Sequence, residues 1–306
     1  MAVTPQVAAI AEQMAAAFGG PMTTLPIEQL RAATVASIPA SGIEVGQVQE
    51  LTVGHGGRQV PIRVYRPADV AEPDGVLLWL HGGGFALGGL ELGDDLSRRL
   101  CNATGLAVVN VDYAVAPERP FPAGLHDCLA VLGWIRGAPS ELDGCATSRV
   151  VVAGDSAGGN LAMVLSQLCR DQGLPAPACQ VSVYGTAECT ITNPELADLP
   201  FLTAADAEWF WSAYTDTPED PYVSPALAED LTALPPLFVV TAEHDPTRDG
   251  SERYAAALAA HGGVAVHRRY PGMHHGFFGM VDLLPEAQQA FDDVVAFIDA
   301  QLRRTP

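Results

Sequence analysis

Val150-Val151-Val152-Ala153-Gly154-Asp155-Ser156-Ala157-Gly158 is the stretch whose reading decides the fold. Four apolar residues in a row read as a strand buried on both faces, and residues 160–170 read as the helix that follows. Between them Ser156 sits in a Gly-x-Ser-x-Gly turn. A strand that reverses so abruptly into a helix holds its serine at strained backbone angles. Side chains two positions to either side would collide with the neighbouring strand or helix, which is why glycine stands at 154 and 158. A turn of this kind presents a hydroxyl above the end of a sheet, as a nucleophile requires.

Working outward, residues 47–53 and 59–65 read as strands around a hairpin turn at His55-Gly56-Gly57. Val76–Leu80 and residues 106–111 are further short apolar runs, and residues 181–184, 237–241 and 264–269 complete the set of strand-like segments. Residues 121–135 carry Leu125, Leu129, Leu132 and Ile135 on one helical side, and Pro285–Leu302 reads as the last helix. This alternation predicts an α/β fold, a mostly parallel central sheet with helices on both faces. Residues 1–45 read as helical, with Val7, Ile10, Ala11, Met14 and Phe18 in a stripe that stops at Gly19-Gly20-Pro21, and a second helix over 27–35. Residues 187–234 break the alternation with Trp209, Phe210, Trp211 and Tyr214. We expect one domain over 1–306: a core of about 46–186 and 235–306, and a helical cap from about 1–45 and the insertion at 187–234. The cap would sit over the carboxyl ends of the strands, where open α/β sheets bind ligands.

Composition narrows the function. The formal charge is −20, and all 16 basic residues are arginine. Such acidity repels phosphates and argues against nucleic-acid and anionic-membrane partners. It fits an acidic enzyme surface or, alternatively, salt adaptation. The six cysteines form no CxxC pair and several lie in apolar helical or strand-like runs, so they read as buried thiols. Glu12 and Gln13 interrupt any leader-like apolar run, and no stretch approaches the roughly 20 apolar residues of a membrane span. The expected location is the cytoplasm.

His81-Gly82-Gly83-Gly84 follows the strand Val76–Leu80. Consecutive glycines let backbone amides approach a ligand closely, and an HGGG loop together with the residue after a nucleophile can hold an oxyanion. That assigns the donors to Gly83, Gly84 and Ala157. Phosphate binding is the competing reading, but neither GxxxxGK[ST] nor GxGxxG is present. A serine nucleophile needs a base, and the base an orienting acid. Asp245 and His275 each lie just past a predicted strand, as Ser156 does. Glu243 and Asp249 compete with Asp245, the latter as a helix cap; His274 competes with His275, but successive side chains diverge. A metal site of His244, His274 and His275 lacks HExxH or comparable spacing.

HGGGF at 81–85, Val111-Asp112-Tyr113 with Ala116-Pro117-Glu118, GDSAGGN at 154–160, Asp245-Pro246-Thr247-Arg248-Asp249 and His275-Gly276-Phe277 together resemble the hormone-sensitive lipase family of bacterial esterases (bacterial family IV) in the α/β-hydrolase superfamily. The resemblance runs from about residue 45 to the C-terminus. It implies an α/β-hydrolase fold and a serine carboxylesterase acting on short- to medium-chain acyl esters without cofactor or metal, with an amidase, deacetylase or lactonase as the alternative. Ser156 would be the nucleophile, Asp245 the acid and His275 the base. His81, Asp155 and Glu118 would support the site, and a homodimer is implied. A non-catalytic binding protein of the same fold would lack the base. By size and position, Phe85, Trp209, Phe210 and Phe277 are expected to line the substrate pocket. Three positions depart from the family pattern: Thr247 stands for a leucine, Ala114 for an arginine, and Gly93 where a histidine is common.

Overall fold

The computed structural model describes residues 6–10, 25–197 and 201–304. Its strands are β1 (Gln47–His55), β2 (Arg58–Arg66), β3 (Val76–Leu80), β4 (Ala107–Val111), β5 (Val150–Asp155), β6 (Cys179–Val183), β7 (Leu237–His244) and β8 (Ala265–His274). They form one sheet in the order β1-β2-β4-β3-β5-β6-β7-β8. The β1–β2 hairpin is antiparallel and β2 is antiparallel to β4, whereas every pair from β4 to β8 is parallel. All parallel strands therefore end on one edge, and their following loops share it.

Every residue of β3, β4 and β6 is buried because both faces are covered. Along β3, Leu77 and Trp79 face one core, while Val76, Leu78 and Leu80 face the other. The first core is closed by α2 (Glu91–Thr104) and α7 (Pro285–Leu302). The second is closed by α3 (Ala123–Arg136) and α4 (Ala157–Asp171). A smaller cluster joins α6 (Arg248–Ala260) to Leu237 and Val239 of β7. Two further helices lie near the carboxyl edge: α1 (Ile27–Ser37) and α5 (Ala204–Tyr214). A reciprocal capping box between Thr203 and Asp206 starts α5.

Several boundaries differ from the sequence reading. β7 and β8 run to His244 and His274, past the strands expected over 237–241 and 264–269, and a bulge lies between Ala242 and His244. The end of β7 carries the half-buried polar residues Glu243 and His244, whereas β8 is exposed and largely polar over residues 266–269 and returns to the first core at Tyr270 and Met273. Residues 38–45 are not helical. Ser41 instead bonds Asp95 at 2.7 Å, and the carbonyls of Ile43 and Glu44 accept from Arg98 and Asn102 of α2. Residues 6–10 are helical, with Val7 buried in the first core. Ala11, Met14, Phe18 and the Gly19-Gly20-Pro21 stop lie outside the described residues. All six cysteines are free thiols, four of them buried.

Candidate active site

Ser156 occupies the single residue between β5 and α4, at φ 52° and ψ −119°. The positive φ is unusual for a residue with a Cβ. It persists because the turn is held on both sides: Ser156 N–H donates to Val183 O at 2.9 Å, and Asn160 N–H donates to Ser156 O at 3.1 Å. Gly154 and Gly158 both lie against the Leu80 carbonyl, and a Cβ at 158 would run into that oxygen. The Gly-x-Ser-x-Gly spacing is thus a packing requirement of β5 and α4 against β3. Asn160 ties the turn to the insertion, donating from Nδ2 to the carbonyls of Thr186 and Val223 at 2.7 and 2.8 Å.

Asp245 follows β7 and His275 follows β8. His275 Nε2 is 2.8 Å from Ser156 Oγ, and its Nδ1 is 2.8 Å from Asp245 Oδ2. Asp245 is fully buried. Three residues separated by up to 119 positions thus form one hydrogen-bonded chain. The competitors go elsewhere. Glu243 accepts from Gly272 N–H at 2.7 Å. Asp249 does not cap α6: Thr247 holds that position, and Asp249 lies in the first turn paired with Arg248. His274 is buried, stacks on Phe201 with ring centroids 3.4 Å apart, and is lowered to about 4, burial being the main cause.

The glycine loop leaves β3 beside this chain. Gly83 O accepts from Ala86 and Leu87 N–H at 3.1 and 2.8 Å, and Gly84 adopts φ 59° with the Phe210 ring directly over it. No side chain larger than hydrogen fits at 84. Ala157 is the first residue of α4, so its N–H belongs to the turn that has no intrahelical acceptor. His81 stacks on Tyr113 at 4.4 Å, its Nδ1 lies 2.6 Å from Gly82 O, and Tyr113 Oη donates to His81 O at 2.7 Å. Asp155 Oδ1 accepts from Gly82 N–H at 2.9 Å, joining the serine turn to the loop. Burial raises the Asp155 carboxyl to about 6, against the opposing pull of Gly82 N–H and His275.

A cavity of about 210 Å³ opens over Ser156 and His275. Gly83, Gly84, Phe85, Ala157 and Phe210 line it, joined by Tyr184, Phe201, Leu202, Trp211 and Thr247. Two expected lining residues do not. Trp209 lies on the other side of α5, packed edge-on to Phe210, because Ala207, Phe210, Trp211 and Tyr214 follow helical spacing and take the inward face. Phe277 is fully buried between Tyr184 and Tyr270, below the His275 loop rather than in the cavity wall. Phe85 stacks on Tyr214 at 3.9 Å.

Arg31 carried no signal in the sequence. Its guanidinium donates to Ala86 O and Ala116 O, each at 2.8 Å, and to both oxygens of Glu118 at 2.7 and 2.8 Å. Glu118 is held down to about 2 chiefly by that pairing. Leu30, its neighbour on α1, packs with Ala86, Leu87 and Phe210.

The model of a family described as the alpha/beta hydrolase fold matches residues 77–279. Carboxylesterase NlhH of Mycobacterium tuberculosis is 39% identical over 254 residues, covering 80% of this chain and 79% of the relative. An ethyl acetate hydrolase of Pseudomonas putida is 34% identical over 256 residues, covering 80% of each. Among solved structures, a hyperthermophilic esterase from Pyrobaculum calidifontis superposes with a TM-score of 0.89 at 34% identity, over 98% of this chain and 99% of that one.

Proposed function

The chain belongs to the hormone-sensitive-lipase-like branch of the α/β-hydrolases and is a carboxylic ester hydrolase; we propose that Ser156, His275 and Asp245 carry its reaction on esters of short to medium acyl chains. The observation that carries this reading is the unbroken Ser156–His275–Asp245 chain at 2.8 Å per link beneath a mostly apolar cavity.

In the proposed cycle His275 Nε2 takes the Ser156 proton as Oγ attacks the ester carbonyl. The carbonyl oxygen gains negative charge, and the amides of Gly83, Gly84 and Ala157 receive it; losing one such donor costs roughly 3–4 kcal/mol of barrier. His275 then returns its proton to the departing alcohol, leaving an acyl group on Ser156. Water, deprotonated by the same ring, releases the acid. Asp245 fixes the ring with Nδ1–H directed at Oδ2 and stabilises the imidazolium.

Size supports small acyl groups. Clefts for drug-sized ligands run to about 300–1,000 Å³, and this cavity is smaller, roofed by Phe210, Trp211 and Leu202. We read α1 and the segment around α5 as its cap. A cytoplasmic location is supported by the free thiols. Among the described residues no helix is long and apolar enough to cross a membrane.

Initial rates on p-nitrophenyl esters from acetate to laurate test the proposal. Turnover should peak at four to eight carbons by order of magnitude, fall steeply by laurate, and drop by at least about 10⁴-fold in S156A. A Ser156→Ala variant with undiminished turnover overturns the assignment, and a flat chain-length profile overturns the small-acyl reading.

A further inference from the structure

Asp245 is gripped at both oxygens. Oδ2 faces His275 Nδ1 at 2.8 Å. Oδ1 accepts twice from one residue: Thr247 N–H donates at 2.9 Å and the Thr247 hydroxyl at 2.8 Å. A hydroxyl carries one proton, and among the described residues its other near acceptor is the Tyr184 carbonyl at 3.4 Å. The nearer, charged oxygen is the stronger acceptor. Thr247 is 9% exposed and lines the cavity, so little water competes for that proton.

The last torsion of an aspartate is broad and roughly two-fold, so a carboxylate bonded at one oxygen is free to swing. The backbone N–H would be supplied by any residue but proline. The hydroxyl would not, and the leucine expected from the resemblance has none. We propose that Thr247 is a positioning residue of this triad, its hydroxyl holding Asp245 in the rotation that presents Oδ2 to His275. The proposal rests on the reading of Ser156, His275 and Asp245 as catalytic.

Thr247→Val removes the hydroxyl and keeps the β-branch, the volume and the backbone donor. For p-nitrophenyl butanoate, kcat should fall about 5- to 20-fold with KM within about twofold, as misplacement of a catalytic group predicts. Thr247→Ser should recover most of the loss. In an Asp245→Asn background the same Val substitution should cost less than about twofold, because the two changes then act through one link. Should T247V not fold, T247A carries the same expectation. A proton spectrum gives a readout independent of turnover: the downfield His275 Nδ1–H resonance should shift in T247V and return in T247S. An unchanged kcat and resonance in T247V, a Ser variant no better than Val, or full additivity with D245N would overturn the proposal. A wild-type chain that hydrolyses no ester, with the resonance still moved by T247V, would count against the esterase reading alone.

Discussion

Asp155 occupies a costly position for a carboxylate. It faces the cavity on one side, is otherwise enclosed, and is raised to about 6 by burial from an ordinary 3.8. A carboxyl with a raised folded value binds its proton more tightly folded than unfolded, so its contribution to stability is largest at low pH. That contribution declines as pH rises from about 3.8 through 6. We predict that D155N, which cannot ionise, gains on the wild type by about 1 kcal/mol between pH 5 and pH 7 in urea unfolding. Parallel profiles would contradict it. The residue scale was also where sequence reading was sharpest and where it failed. Ser156, Asp245 and His275 were legible because each sits in a short motif at a strand end. Phe277 was misplaced because an aromatic just after a histidine at a strand end reads alike whether it enters the cavity or the core. Thr247 showed only as a departure from pattern; that its hydroxyl lies 2.8 Å from Asp245 depends on the turn geometry.

At the scale of elements, α1 is fastened to the active-site loops through one side chain. Arg31 bridges the carbonyls of Ala86 and Ala116, whose neighbouring segments are also joined by Ala116 N–H donating to Phe85 O at 2.8 Å, and pairs with Glu118. With Glu118 held down to about 2, the pair stays charged above the usual carboxylate range and is lost only as pH falls towards that value. Because Glu118 is half-exposed, the ion pair itself is weak, and the carbonyl bonds matter more. Arg31→Met should lower Tm by roughly 2–4 °C and raise KM for p-nitrophenyl butanoate by about 3- to 10-fold, since α1 then loosens beside Phe210. Unchanged Tm and KM would show that α1 needs no such clasp. Apolar runs mark β3 and β5 in the sequence to within two residues, whereas the polar end of β7 and the last residues of β8, beyond its charged stretch at 267–269, do not stand out. The end of β7 is held by pairing with β8, which its side-chain hydrophobicity does not report, and the end of β8 by Tyr270 and Met273 packing beyond a Pro-Gly step that interrupts the pattern.

Across the whole molecule, the parallel order β4-β3-β5-β6-β7-β8 brings the ends of β3, β5, β7 and β8 to one edge. The glycine loop at 81–84, Ser156, Asp245 and His275 each directly follow a strand, so the sheet positions them jointly. The α/β class could be read from alternation alone, because strands covered on both faces are continuously apolar. The proposed cap was less legible, since aromatic residues in an insertion say that something is covered without saying which face of α5 covers it. The central claim is that this convergence makes Ser156 unusually nucleophilic. The most direct measurement is mass spectrometry of the intact protein after exposure to a fluorophosphonate, followed by peptide mapping. The wild type should gain one adduct, on Ser156, with none in S156A and labelling slowed by at least about 100-fold in H275A. A folded wild-type protein that takes up no label, or that labels at the same rate without His275, would contradict the account.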